Sequence, residues 1–529
     1  MAGSANADFD IATGRSRSVN RATGANDRRL DVIGMDICLH VSKRIGNYHT
    51  TKVTQVERNL FDGFWKQVLH NKRQQGAVYA EDSSILRTYQ QIEEERDLWR
   101  SRLVPFAAGD CVVAAMGNDP GWPGFVLACW DLSLVVAPIE PEMQPAQLAR
   151  TLHLTQAQGL AQPNGVTRID HAPIRWSGSR PDLLKITSGT TGAPRAVRVR
   201  QTHLLADCKN ICESMGIRPD DLNFGLIPFS HSYGFSNLVT PLIFQGTGLV
   251  CSTDRMPRAV RRNLESSGAT VFPGTPALFQ ALSFLPESGE FKTVRLCISA
   301  GAPLTSEVSL RFYRKFGLKV HSFYGSSECG GIAYDSGEDP DTQPGFVGSA
   351  LDGVEIARFD EDRIVVIGPN VVDGYFPESD DSLLVDGRFV PGDIVESSST
   401  GFRLIGRISD FVNIAGKKVH PSVIEEHLHK LPGVADAIVF GIPSTTRNEE
   451  LVAYVVGSNA ISRQILETHC RNGLDGWQVP REFHLVAELP FNERGKINRA
   501  ELSKLHSLHR SRIVRPARNA SRSEAGGDS

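Results

Sequence analysis

The 529-residue chain lacks several features, and each absence excludes a class of protein. It has no uninterrupted apolar run near the ~20 residues a membrane-crossing helix requires, so no membrane span is expected. It also lacks a strong charge of either sign. A formal net charge of -3 gives no global electrostatic case for nucleic acid or an anionic membrane. Nine cysteines include no CxxC pair. Cys208 and Cys212 are spaced for one helical face, but no second ligand pair lies nearby, so buried free thiols are expected there rather than zinc. A reducing, cytoplasmic setting fits. The first 30 residues lack an apolar signal core, and Asp8, Asp10 and Asp27 argue against an organelle transit peptide. Their polar composition predicts a disordered tail over 1–35, with Met35 a possible alternative start, and a second tail over 509–529. GxxxxGK[ST], GxGxxG and GxSxG are all missing, which leaves a Walker A loop, a dinucleotide fingerprint and a hydrolase elbow unsupported.

What remains reads as an ordinary globular protein, with 40% hydrophobic and 22% charged residues, too long for one compact core. Between the tails the pattern is α/β. "CVVAAMG", "LSLVVAPI", "GLIPFS", "GLVCST", "ATVFPG" and "VRLCISAG" are short β-rich runs. Helical stretches such as "PALFQALSFL" and "SEVSLRFYRKFG" separate them. Such alternation predicts parallel or mixed sheets with helix-covered faces, and ligands beyond the carboxyl ends of the strands. From about residue 342 shorter strands and more turns predict a small β-rich subdomain. After Arg407 a smaller α+β unit is expected, with a helix at "PSVIEEHLHKL" and paired strands at "DAIVFGI" and "ELVAYVVG".

One loop asks for a ligand. "KITSGTTGAPRAV" sets Thr187, Ser188, Thr190 and Thr191 around Gly189 and Gly192, with Arg195 following. Glycine-loop N–H groups and hydroxyls make a cradle for phosphate oxygens, although the same residues also populate plain surface loops.

Companion motifs decide the reading. "IPFSHSYG", "ISAGAPL", "FYGSSE", "GPNVVDGYF", "DGRFVPGD", "GFRLIGRISDFVNIAGKKVHPSVIE" and "LPFNERGKINR" follow in order. With the loop, this series resembles the adenylate-forming superfamily of acyl- and aryl-CoA synthetases, luciferases and peptide-synthetase adenylation domains, over roughly residues 60 to 505. The resemblance implies a large adenylation domain at 36–408 and a small mobile domain at 409–508.

It also implies a chemistry. A carboxylate attacks the α-phosphate of ATP, giving an acyl-adenylate and pyrophosphate, and a thiol then displaces AMP. The thiol would be CoA, or the phosphopantetheine of a separate carrier protein. By the resemblance, Thr187, Ser188, Gly189, Thr190, Thr191, Gly192 and Arg195 would hold the β- and γ-phosphates. Gly301, Ala302 and Pro303 would line the adenine and Tyr324 would stack on it. Ser327, two residues after Gly325 of the same nucleotide-binding motif, would meet the α-phosphate, and Glu328 would hold Mg2+. Asp393 would take the ribose hydroxyls, with Arg407 at the domain junction. His231 would sit beside the incoming carboxylate, and Lys496 would screen the two approaching anions. His203 lies in "QTHLLAD", which spells a weak HxxxD, and is read as structural. The acyl pocket would involve Ser232–Asn237, Ala300–Gly301 and Ser326–Ile332. No unpaired acid or base stands there for an amino acid's ammonium group, which favours a fatty or aromatic acid.

The departures are Arg195 and Ala196 where the family has Lys and Gly, Pro391 for a common Thr, and Ala300 for a frequent Gly. Arg keeps the positive charge. Two readings of other classes stand beside this one: a catalytically weak member that binds or regulates, and an unrelated ATPase or phosphotransferase using the same loop.

Overall fold

A computed structural model of the chain describes residues 60–187, 195–287, 289–360, 363–377, 383–385, 387–414, 417–444, 448–489, 499 and 502–506. Both predicted tails, most of the loop 187–192 and Lys496 lie outside these residues. The described part of the large domain is built on two big sheets and a small one. One sheet orders its strands Tyr375–Phe376, Arg195–Val199, Leu183–Thr187, Val135–Pro138, Cys111–Ala114, Gly159–Gln162 and Gly165–Arg168. Its four central strands, Leu183–Thr187 to Gly159–Gln162, are parallel, and the outer ones antiparallel.

The other sheet has eleven strands among the described residues. Its centre is parallel: Gly76–Tyr79, Gly248–Cys251, Leu222–Gly225, Val271–Gly274, Leu296–Ser299 and Val320–Ser326. The strand Gly76–Tyr79 therefore pairs with one formed roughly 170 residues later. The antiparallel strands Gly330–Tyr334, Phe346–Ala350, Gly401–Arg407 and Asp393–Ser398 extend it. A four-stranded sheet, Glu355–Arg358 with its neighbours, is the β-rich subdomain.

Period-two side-chain alternation explains the layering. Val112, Ala114, Val136 and Leu183 point from the first sheet into one central apolar core. Leu249, Val271, Leu296 and Ile298 enter that same core from the second sheet. The alternate residues Cys111, Val113, Val135 and Leu184 face a separate outer core, as do Phe224, Val250, Phe272 and Cys297 on the other side. Both sheets are covered on both faces, which is why their strands read as continuous apolar runs.

One predicted run differs. The strand ends at Gly225, so "GLIPFS" leaves the sheet where it was expected to begin. Its backbone is satisfied by a side chain instead. The Asn118 amide donates to the Gly225 and Ile227 carbonyls and accepts from the Phe229 N–H.

The small domain repeats the alternation on its own sheet. The strands Val434–Ser444 and Asn448–Gly457 pair antiparallel. Ala437, Val439, Leu451 and Ala453 meet the helices Pro421–His429 and Arg463–Gly473. Ile438, Phe440, Ile442 and Val452 meet Leu489 and Leu502 on the opposite face. Among the described residues no helix is long and apolar enough to cross a membrane. Cys208 and Cys212 are buried free thiols, as expected.

Candidate active site

The motif residues gather beyond the carboxyl ends of parallel strands. Thr187 and Arg195 close the ends of two antiparallel strands as a register pair, with the Thr187 hydroxyl donating to the Arg195 carbonyl at 3.4 Å. Ser188 to Gly192 belong to the connection between them and fall outside the described residues. Gly301, Ala302 and Pro303 are exposed just past the strand Leu296–Ser299. Gly301 sits at φ +91°, a left-handed conformation that glycine accommodates.

Motifs far apart in sequence touch here. The Ser232 and Ser327 hydroxyls are 2.8 Å apart, joining "PFSHSYG" to "YGSSE". His231 caps the turn after it by accepting the Tyr233 N–H at Nδ1, 3.2 Å away. Gly234 is required at this turn, because a Cβ there would run into the Pro228 carbonyl. The Tyr375 hydroxyl donates to Glu328 Oε1 at 3.0 Å, and the Arg195 guanidinium lies 5.1 Å from the Tyr375 ring centre. Arg195 therefore reaches the Glu328 region through an aromatic ring.

A second group forms around Asp393. Tyr324 is buried, and its hydroxyl donates to Asp393 Oδ2 at 2.7 Å. Arg407 Nε donates to Oδ1 at 2.8 Å, from the register position opposite on the neighbouring strand. Burial and the Asp393 charge push the Tyr324 phenol well above its ordinary range. Asp393 raises the pKa of Arg407.

Beneath the "SSECGG" turn lies a polar core that the sequence reading missed. Lys185 and Asp207 are both buried. Lys185 Nζ donates to Ser236 Oγ at 3.4 Å, and the Gly331 N–H donates to Asp207 Oδ1 at 2.8 Å. Burial pulls the lysine pKa down and pushes the aspartate up, each opposed by the other's charge. His203 instead accepts the Arg200 N–H and lies 3.6 Å from Asp373, and burial brings its pKa down to about 4. The HxxxD pair thus serves two separate structural networks.

Residues 64–376 match the family model described as AMP-binding enzyme, and residues 423–496 match that of the AMP-binding enzyme C-terminal domain. The first match alone spans more than half of the chain. The chain belongs to the AMP-binding enzyme family.

Relatives of this AMP-binding enzyme include a long-chain-fatty-acid–CoA ligase of Bacillus subtilis (strain 168), 28% identical over 341 residues. That match covers 60% of this chain and 61% of the relative, so it spans less than two thirds of the relative's length. A feruloyl-CoA synthase from Amycolatopsis is 27% identical over 60% of this chain and 69% of its own. Among solved structures, ATP-bound MatB from Rhodopseudomonas palustris superposes with a TM-score of 0.74 at 22% identity, covering 84% of this chain and 98% of that one. An anthranilate CoA ligase, AuaEII, gives a TM-score of 0.73 at 19% identity, covering 85% and 98%. These two likenesses establish the shared fold, as expected from the α/β pattern.

Three further residues organise this AMP-binding enzyme's site and its junction. Tyr375 was legible only as an aromatic inside "GPNVVDGYF". His420 is buried at the junction, where its Nε2 accepts the Arg407 N–H at 2.8 Å and its Nδ1 lies 2.8 Å from the Ser422 hydroxyl. Arg499 donates through Nη1 to Asp410 at 3.0 Å, through Nη2 to both Glu425 oxygens at 2.9 Å, and through Nε to the Val439 carbonyl.

Proposed function

We propose that the protein activates a carboxylic acid with ATP, releasing pyrophosphate, and then transfers the acyl group from the adenylate to a thiol, most simply that of CoA. The observation that carries this reading is the convergence of Ser232–Ser327, Arg195–Tyr375–Glu328 and Tyr324–Asp393–Arg407 on one end of the sheets. The relatives' activities, fatty-acid and feruloyl ligation to CoA, support it.

Asp393 would hold the ribose. A carboxylate has about four lone-pair sites, and Tyr324 and Arg407 occupy one on each oxygen. Capacity therefore remains for two ribose hydroxyls. Tyr324 would wall the adenine with Gly301, Ala302 and Pro303. The loop from Thr187 to Gly192, with Arg195, would take the β- and γ-phosphates. Ser327 would meet the α-phosphate.

The residues fit a magnesium ion. Glu328 is a half-buried hard oxygen donor whose Oε1 carries one hydroxyl, and such ions need only one or two protein carboxylates beside substrate phosphates. Bound Mg2+ would neutralise charge on the phosphates. His231, its Nδ1 accepting the Tyr233 N–H, has the proton of its neutral ring on Nε2, a donor suited to orienting the incoming carboxylate. Lys496 would bring a cation to the carboxylate and α-phosphate together, stabilising the charge that builds at phosphorus. The small domain, 409–508, would then rotate about Ser409 and Asp410 to admit the thiol.

The acid itself is proposed to be fatty or aromatic. Tyr233 and Phe323 pack at 5.8 Å beside the expected acyl region, and the Tyr233 hydroxyl donates to the Ile298 carbonyl. The test is pyrophosphate exchange with a panel of carboxylic acids, each then offered CoA and carrier proteins. Exchange driven by an apolar acid, followed by CoA thioester, is expected. Failure of every acid to drive exchange would refute the activity.

A further inference from the structure

The small domain carries a cluster that acyl activation does not use. Glu482 and His484 lie two residues apart on the strand Glu482–Leu485, so both side chains leave the same face. The helical turn 502–506 brings His506 to that face, held by Leu502 against Ile438, Phe440 and Val452. His484 Nε2 lies 3.1 Å from Glu482 Oε2, and His506 Nε2 lies 3.2 Å from the same oxygen. All three donor atoms fall within 4.8 Å of one another. The Tyr454 hydroxyl lies 3.1 Å from His506 Nδ1.

We infer that Glu482, His484 and His506 form a binding site for a divalent transition metal of the zinc class. Two imidazoles and one carboxylate suit zinc, cobalt or nickel, whereas magnesium and calcium prefer all-oxygen sites. With metal–ligand bonds of about 2.0–2.2 Å, a tetrahedral ion holds its donors about 3.3–3.6 Å apart. Two of the three donor pairs are already within a few tenths of an ångström of that spacing. The third closes by rotation of His484, whose side chain is 42% exposed. Tyr454 supplies the outer contact that ligating histidines commonly have, fixing the His506 ring so that Nε2 is the ligand atom. A water would complete the fourth position. The ion would join elements that precede and follow Lys496 in the chain, fastening the turn 502–506 to the small-domain sheet.

The test uses the full chain, stripped with a chelator and titrated with Zn2+ by calorimetry and with Co2+ by visible absorbance. One equivalent should bind, with the d–d bands of a tetrahedral N/O site. Binding should weaken at least tenfold in His484→Ala and in Glu482→Gln, and less in Tyr454→Phe. Zn2+ should raise the Tm of the wild type but not of His484→Ala, each compared with its own metal-free Tm. Affinity should fall below pH about 6.5, as imidazoles take up protons. No stoichiometric binding, or binding unchanged in both His484→Ala and Glu482→Gln, would overturn the site and leave a proton-bridged cluster.

Discussion

Two arginine networks flank the short turn Ile408–Asp410, and they are built differently. Arg407, its side chain 54% exposed, gives one bond to Asp393, whose other oxygen serves the buried Tyr324. Arg499, 26% exposed, spends its guanidinium on Asp410, both oxygens of Glu425 and a backbone carbonyl. The first network leaves its carboxylate with unused acceptor capacity and can trade partners. The second is close to saturated and can only hold. Arg499 therefore ties Asp410 to Glu425 and Val439 of the small domain, and the proposed pivot at Ser409 and Asp410 falls between the two networks.

The strongest way to separate holding from chemistry is Lys496→Ala. Adenylation, measured by pyrophosphate exchange, should fall about 10²- to 10³-fold, while far-UV circular dichroism and Tm stay unchanged. Near-normal exchange would remove Lys496 from its assigned role. Arg499→Met attacks the holding network itself. It removes the guanidinium from Asp410 and Glu425, and, because the pairs are partly solvated, it should cost about 2 kcal/mol in denaturant unfolding. An unchanged midpoint would show that the clamp is ornamental.

Ser409→Pro probes the pivot between the networks. Proline fixes φ and restricts the residue before it. Thioester formation from preformed adenylate should drop about tenfold while pyrophosphate exchange persists. Equal loss in both steps would make the turn merely structural.

The smallest effect concerns His420, which accepts the Arg407 N–H. Burial, then the Arg499 charge, holds its pKa below the ordinary histidine value. The unfolded chain therefore takes up this proton first. Its contribution to stability is complete above the unfolded value of about 6.5 and is lost as pH falls through the lower folded value. Tm should decline as pH falls from about 6.5 through the lower folded value, and less steeply in His420→Gln. Parallel pH profiles for the two proteins would contradict this.

The sequence made the local layer legible. Short β-rich runs marked strands of three sheets, and the ordered motifs marked the segments that hold Ser232, Ser327, Glu328 and Asp393. Contacts between distant residues were less legible. Tyr375 and Glu328 are 47 residues apart, and Arg499 and Asp410 are 89 apart. No local period announces such a pair. The buried Lys185 and Asp207 were hidden for a related reason, since a charged residue inside a strand or helix reads as solvated until its neighbours are known. "GLIPFS" misled because an apolar run looks like a strand even where Asn118 takes over its backbone bonds.

The parallel pairing of Gly76–Tyr79 with Gly248–Cys251 has a consequence for biosynthesis. The early hairpin leaves the ribosome long before its partner strand. At about 5–20 residues per second, its edge waits about ten to thirty seconds for residue 248 to be translated. During that interval the nascent chain exposes Val78 and Ala77, which end fully buried. Expression of this protein should therefore depend on what shields the ribosome exit, and synonymous changes that slow translation between residues 80 and 248 should lower the soluble yield without altering the finished molecule.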